Sequence, residues 1–142
     1  MKSILITGAA SGIGAATAKK LASKDVSLTL TTKSNLDGLK SVRQFAENKG
    51  AKVSYVCGDL SEKKFLEELV NLARSSTGNI DQFISNAGYA DKKEFGVFNN
   101  DDINKSVQTM AISFSEIINL CIEDFIKSSC GRGIVISSFV NK

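Results

Sequence analysis

Histidine is absent from the sequence, which excludes a histidine-based catalytic triad and every His-ligated metal site. Proline is absent as well. At the average usage of about 5% a chain this long would carry roughly seven, so its turns must rest on glycine, asparagine, aspartate and serine. Cysteine is scarce: Cys57, Cys121 and Cys130 are odd in number and far apart, with no Cys-x-x-Cys spacing. That excludes a disulfide framework and a thiolate zinc site, so no metal site is predicted, and it points to reduced thiols in a cytoplasmic protein. An excess of either charge is missing too. Eighteen basic side chains against fifteen acidic ones leave a net charge of +3, thinly spread, so nucleic acid and anionic membrane are not expected partners.

Long hydrophobic runs are also lacking. No stretch approaches the roughly 18 uncharged apolar residues of a membrane span; the segment from Met110 comes closest, and Glu116 interrupts it. The opening Met1 to Ile6, followed by alanines with Ala16-Thr17-Ala18 in the manner of a cleavage site, has the outline of a secretory signal. Its three aliphatics are followed at once by Gly8, Gly12 and Gly14, short of the roughly 7 to 15 apolar residues a signal needs.

What is present suits one domain spanning 1–142, with 42% hydrophobic residues to build a core. Short aliphatic runs alternate with longer amphipathic stretches, the rhythm of βαβ units, and no repeat or linker separates them. Strands are predicted at Ser3 to Thr7, Val26 to Thr32, Lys52 to Cys57, Ile80 to Ser85 and Ile134 to Ser138. Each is apolar on both faces, as parallel strands covered by helices on both sides must be. Leu36, Leu39, Val42 and Ala46 recur at helical spacing, as do Phe65, Leu66, Leu69, Val70 and Ala73, with Asn35 and Ser61 as predicted N-caps. A long helix is predicted from Asp101 to Lys127, its stripe being Ile103, Val107, Met110, Phe114, Ile117, Cys121 and Phe125. Ile112, Ile118, Ile122 and Ile126 widen that stripe beyond what one contact with a sheet requires, which predicts a homo-oligomer through helix 101–127.

The first predicted strand runs into Thr7-Gly8-Ala9-Ala10-Ser11-Gly12-Ile13-Gly14 and then an alanine-rich helix. Gly8 suits a tight turn, Gly12 leaves room for a diphosphate to approach the backbone, and Gly14 lets the helix pack closely, while free N–H groups and the helix dipole face the anion. An ordinary glycine-rich turn would also fit these residues taken alone.

These residues resemble the short-chain dehydrogenase/reductases, whose cofactor turn is Thr-Gly-x-x-x-Gly-x-Gly. Three further matches follow in order: Asp59-Leu60 after the third strand, Asn86-Ala87-Gly88 after the fourth, and Ile136-Ser137-Ser138 closing the fifth. The resemblance implies an α/β fold, a Rossmann-like doubly wound parallel sheet of five strands in the order 3-2-1-4-5. It spans the chain end to end but matches only the amino-terminal part of the family pattern, so the sheet is read as cut short before its last strands. It further implies cofactor contacts at Gly8, Ser11, Gly12, Ile13 and Gly14, at Asp59 and Leu60 beside the adenine, and at Asn86, Ala87 and Gly88. Ser138 is the family's catalytic serine, which steadies the substrate oxygen. Each has a plainer reading: Asp59 as a helix cap, Asn86-Ala87-Gly88 as a turn, Ser137-Ser138 as a polar strand end.

The second strand ends Leu30-Thr31-Thr32-Lys33-Ser34, with no acid to hold a ribose 2′-hydroxyl. Lys33 stands where NADP-preferring relatives often carry arginine, so NADP is the predicted cofactor, with NAD possible and a solvated Lys33 the plain alternative. A lysine is a flexible point charge, and the preference is accordingly weaker than arginine would give. The predicted activity is hydride transfer on a small carbonyl/alcohol pair. The family's Tyr-x-x-x-Lys, which moves the substrate proton, does not follow Ser138 before Lys142, so the 142 residues alone are predicted inactive. Tyr55 and Tyr89 sit in the wrong places to replace it. On the long helix, where the family places a water-holding asparagine, this sequence has Met110, a thioether with no proton to pass and whose usual work is filling core space. A non-catalytic nucleotide-binding module and a structural subunit are the alternatives.

Overall fold

The computed structural model describes residues 1–88, 97 and 99–137. Five strands, β1 Lys2–Thr7, β2 Val26–Thr32, β3 Lys52–Cys57, β4 Gln82–Ser85 and β5 Arg132–Val135, form one parallel sheet in the order β3-β2-β1-β4-β5. This is the doubly wound Rossmann-like arrangement. The helices between them are α1 Gly12–Leu21, α2 Leu36–Asn48, α3 Lys63–Thr77, α4 Asn100–Val107 and α5 Ser113–Lys127, the last two joined by a π-helical turn at Gln108–Ile112.

Alternation along the central strand explains the two cores. Ile4 and Ile6 point to one face, where α1 and α2 bring Ala18, Leu39, Val42 and Ala46. Leu5 points to the other, where α3 and α5 bring Leu66, Leu69, Ile117 and Cys121, with Phe83 of β4 stacked on Phe114 at 5.7 Å between ring centroids. Successive strand side chains face opposite ways, so a run such as Ile4-Leu5-Ile6 must be apolar throughout to fill both layers.

Several element boundaries differ from the sequence reading for local reasons. β4 begins at Gln82, not Ile80, because the Asp81 carboxylate takes the Ser3 N–H at 2.7 Å that a strand carbonyl would otherwise accept. β5 begins earlier than predicted, at Arg132, and pairs through Gly133; a Cβ there would collide with Ile118, so glycine lets α5 lie on the strand. Its predicted end, Ser138, lies outside the described residues. Asn35 caps α2 as predicted, accepting from the Gly38 N–H at 3.0 Å, whereas Glu62 and not Ser61 precedes α3, with no side-chain cap bond.

The long helix departs most. The π turn inserts one extra residue and rotates the helix face by about 100°. Upstream of it Ile103 and Val107 are exposed, as is Met110 within it, while downstream Ile117 and Cys121 are buried and Phe114, Ile118 and Phe125 half-buried. The single predicted stripe is therefore two, out of phase. Ile112, Ile122 and Ile126 stay exposed, Ile126 at 77%.

Candidate active site

Three of the predicted motifs lie at the carboxyl ends of β1, β3 and β4, around a cavity of about 330 Å³. The chain leaves β1 through Gly8 at φ 64°, where a Cβ would stand 2.8 Å from Ala87 Cα, and enters α1 at Gly12, φ 53°. Both angles lie in the left-handed region that favours glycine. Ser11 precedes α1 in extended backbone, its side chain makes no cap hydrogen bond, and no acid stands in the first turn. The first N–H groups of α1 thus meet the cavity end of the sheet without a capping side chain, and with the positive end of the helix dipole.

Asn86 ties this turn to β4. Its Nδ2 donates to the Thr7 and Gly8 carbonyls at 3.2 and 3.1 Å, and the Asn86 and Ala87 N–H groups both donate to Thr7 Oγ1 at 3.1 Å. A side chain at Gly14 would drive into the Gly8 carbonyl and Asn86 Nδ2. Gly14 therefore serves the closeness of turn, helix and Asn86 to one another.

On the other flank, Lys33 Nζ pairs with Asp59 Oδ2 at 2.5 Å across the ends of β2 and β3. Asp59 Oδ1 accepts from the Ser61 N–H at 2.9 Å and the Ser61 hydroxyl at 2.8 Å, which is why Ser61 does not cap α3. The Lys33 hydrogen bond, reinforced by the Ser61 N–H, holds the Asp59 carboxyl at about 2, well below the usual range. Asp59 is consequently ionised at any physiological pH.

The cavity is lined by Gly8, Ser11, Lys33, Asp59, Leu60, Asn86, Ala87 and Gly88, all predicted, together with Ala10, Thr31, Thr32, Gly58 and Thr109, which were not. Gly12, Ile13 and Gly14 build the turn without lining the space; Ile13 is exposed on its outer side. Ser138 and Tyr89 lie outside the described residues. Thr31 and Thr32 are the end of β2 and were legible beside Lys33. Gly58 was legible only as the residue before Asp59, and a Cβ there would strike the Phe65 ring. Thr109 had no sequence signal, because the π turn brings it to the cavity next to Met110. Met110 is not core filler: it is 41% exposed, its sulfur 4.0 Å from where a Cβ on Gly88 would stand.

The donor set fits an adenine dinucleotide. Uncapped helix N–H groups suit a diphosphate. Thr31 borders the cavity, and its buried Oγ1 has no hydrogen-bond partner among the described residues. No described helix is long and apolar enough to cross a membrane.

A family model described as short chain dehydrogenase matches residues 2–142. The ketoacyl reductase HetN of Nostoc sp. is 26% identical over 141 residues, covering 99% of this chain and 49% of that protein. A Serratia marcescens short-chain dehydrogenase/reductase superposes with a TM-score of 0.87 at 26% identity, covering 96% of this chain and 55% of that one. A short chain dehydrogenase from Burkholderia cenocepacia, solved in complex with NADP, superposes with a TM-score of 0.86 at 22% identity, covering 94% and 54%. The chain spans about half the length of the relatives it matches.

Proposed function

The chain belongs to the short-chain dehydrogenase family, and from that premise we propose that its cavity is an NAD(P) site, NADP preferred, of an oxidoreductase acting on a carbonyl/alcohol pair. One observation carries this reading: the uncapped amino end of α1 meets a cavity that Lys33 and Asp59 border on one side and Asn86 to Gly88 on the other. The N–H groups after Gly8 hold the diphosphate, Asp59 and Leu60 face the adenine, and Lys33 meets a 2′-phosphate. Asn86 holds the turn in shape while Ala87, Gly88 and Thr109 border the remaining space. A bound nicotinamide dinucleotide supplies or accepts the hydride. Ser138 steadies the substrate oxygen, and no Tyr-x-x-x-Lys follows it within these residues, so dinucleotide binding without turnover is the expected behaviour of the 142 residues alone.

Calorimetry with NADPH and NADH tests the assignment. Wild type should bind NADPH the more tightly, and Lys33→Asp should weaken NADPH by about tenfold while favouring NADH. Equal wild-type affinities would remove the NADP preference. A ketone panel should give no cofactor oxidation above background; turnover lost in Ser138→Ala would show that these residues move the proton by another route.

The family reading also supports a small-molecule substrate, no nucleic-acid partner, and a cytoplasmic setting, consistent with three unpaired cysteines. Self-association through helix 101–127 remains the proposed oligomer, on Ile122 and Ile126 of the sequence reading together with Ile103 and Val107, which that reading had placed on the inner stripe. Phe114, Ile117 and Cys121 face the sheet, and Ile103, Val107, Ile122 and Ile126 are left outside. Light scattering at micromolar concentration should find dimers or larger species; a monodisperse monomer would refute it.

A further inference from the structure

Resting on the reading of the cavity as a dinucleotide site, we propose that the Lys33–Asp59 ion pair sets cofactor specificity: Asp59 competes with the cofactor's 2′-phosphate for the Lys33 ammonium. Thr32 of β2 lies opposite Cys57 of β3, so the two side chains emerge just beyond adjacent strand ends, and both line the cavity. Their mobilities differ. Asp59 is anchored through Oδ1 by two Ser61 hydrogen bonds, whereas the Lys33 side chain is 71% exposed on a four-carbon stem. When a ligand enters, the ammonium is the partner that moves.

A ribose 2′-hydroxyl makes no demand on that ammonium. A 2′-phosphate must draw it from Asp59 and then lie beside the carboxylate it has left, and both effects act against NADPH alone. Asp59 is ionised throughout the neutral range, so the competition is always present. The acid that the second strand lacks is thus supplied by the neighbouring strand end.

Asp59→Asn removes the charge and leaves an Oδ1 to accept from Ser61, so the turn before α3 keeps its bonds. Calorimetry with NADPH and NADH on wild type, Asp59→Asn, Lys33→Met and the double variant reads the competition. Asp59→Asn should raise the preference for NADPH over NADH by about fivefold, the scale of an exposed ion pair. In the Lys33→Met background the same change should gain much less. A gain of equal size there would mean that Asp59 repels phosphate directly without acting through Lys33, and would overturn the inference. So would an equal change in both affinities. If wild type binds neither dinucleotide, the assignment of the cavity fails and the inference falls with it.

Discussion

Gly14→Ala should abolish measurable dinucleotide binding and cost about 1 to 3 kcal/mol of stability, the range for forcing an extra methyl into packed surroundings. The obstruction comes from two groups at once. The new Cβ would meet the Gly8 carbonyl, which cannot retreat without unlocking the turn, and the Asn86 amide nitrogen, which is bonded to that carbonyl and to Thr7. Relief requires α1 to move off the turn or Asn86 to release it, and either misplaces the N–H groups at the start of α1. Gly12→Ala is the control. Nothing lies within 4 Å of its would-be Cβ, and the cost is confined to a left-handed φ of 53°, about 1 to 2 kcal/mol. Thermal unfolding with and without NADPH checks both. A Gly14→Ala protein that binds NADPH as wild type does would show that the turn's closeness to Asn86 is unimportant to the site.

The turn itself was legible, since Thr7-Gly8 and Gly12 to Gly14 follow an aliphatic run and precede alanines. β1, β2 and β3 were legible almost to the residue, because each is a short run rich in aliphatic and β-branched residues between turn-forming ones. β4 and β5 shifted for reasons that only three dimensions supply: Asp81 replaces a backbone acceptor for Ser3, and Gly133, left outside the predicted strand, is a place where α5 packs closely on it. The π turn at Gln108–Ile112 has no signature in hydrophobic period. It divided one predicted stripe into two and brought Thr109, beside the predicted Met110, to the cavity. The Lys33–Asp59 pair was hidden in another way. Both residues were identified, but each for the ligand, and only the adjacency of β2 and β3 shows that they first meet each other.

The second large effect lies behind the site, where Arg74→Ala should destabilise the fold by about 3 kcal/mol. Arg74 reaches from α3 to α5: Nε donates to Asp124 Oδ2 at 2.9 Å and Nη2 to the Leu120 carbonyl at 2.6 Å. Asp124 is buried, beside a Cys121 thiol that burial pushes up to about 12. Truncating the arginine leaves a carboxylate in surroundings where a thiol already resists ionisation, and an unpaired buried charge costs about 3 to 5 kcal/mol. The lower end applies, because the Arg74 side chain is a third exposed and water can reach the gap. An uncharged pair, Arg74→Met with Asp124→Leu, should recover most of the loss, since breaking such a pair costs far more than replacing it. The damage should also reach the cavity. α5 supports β4 through Phe114 on Phe83, and β4 presents Asn86 to the glycine turn, so loosening α5 should weaken NADPH binding several-fold in Arg74→Ala and less in the uncharged double variant. Urea unfolding of Arg74→Ala and of wild type, Arg74→Met, Asp124→Leu and the double variant gives the loss and, from the last four, the coupling directly. An Arg74→Ala protein within about 0.5 kcal/mol of wild type, the range of ordinary surface changes, would show that the contact between α3 and α5 rests on Leu69, Ile117 and Cys121 packing alone.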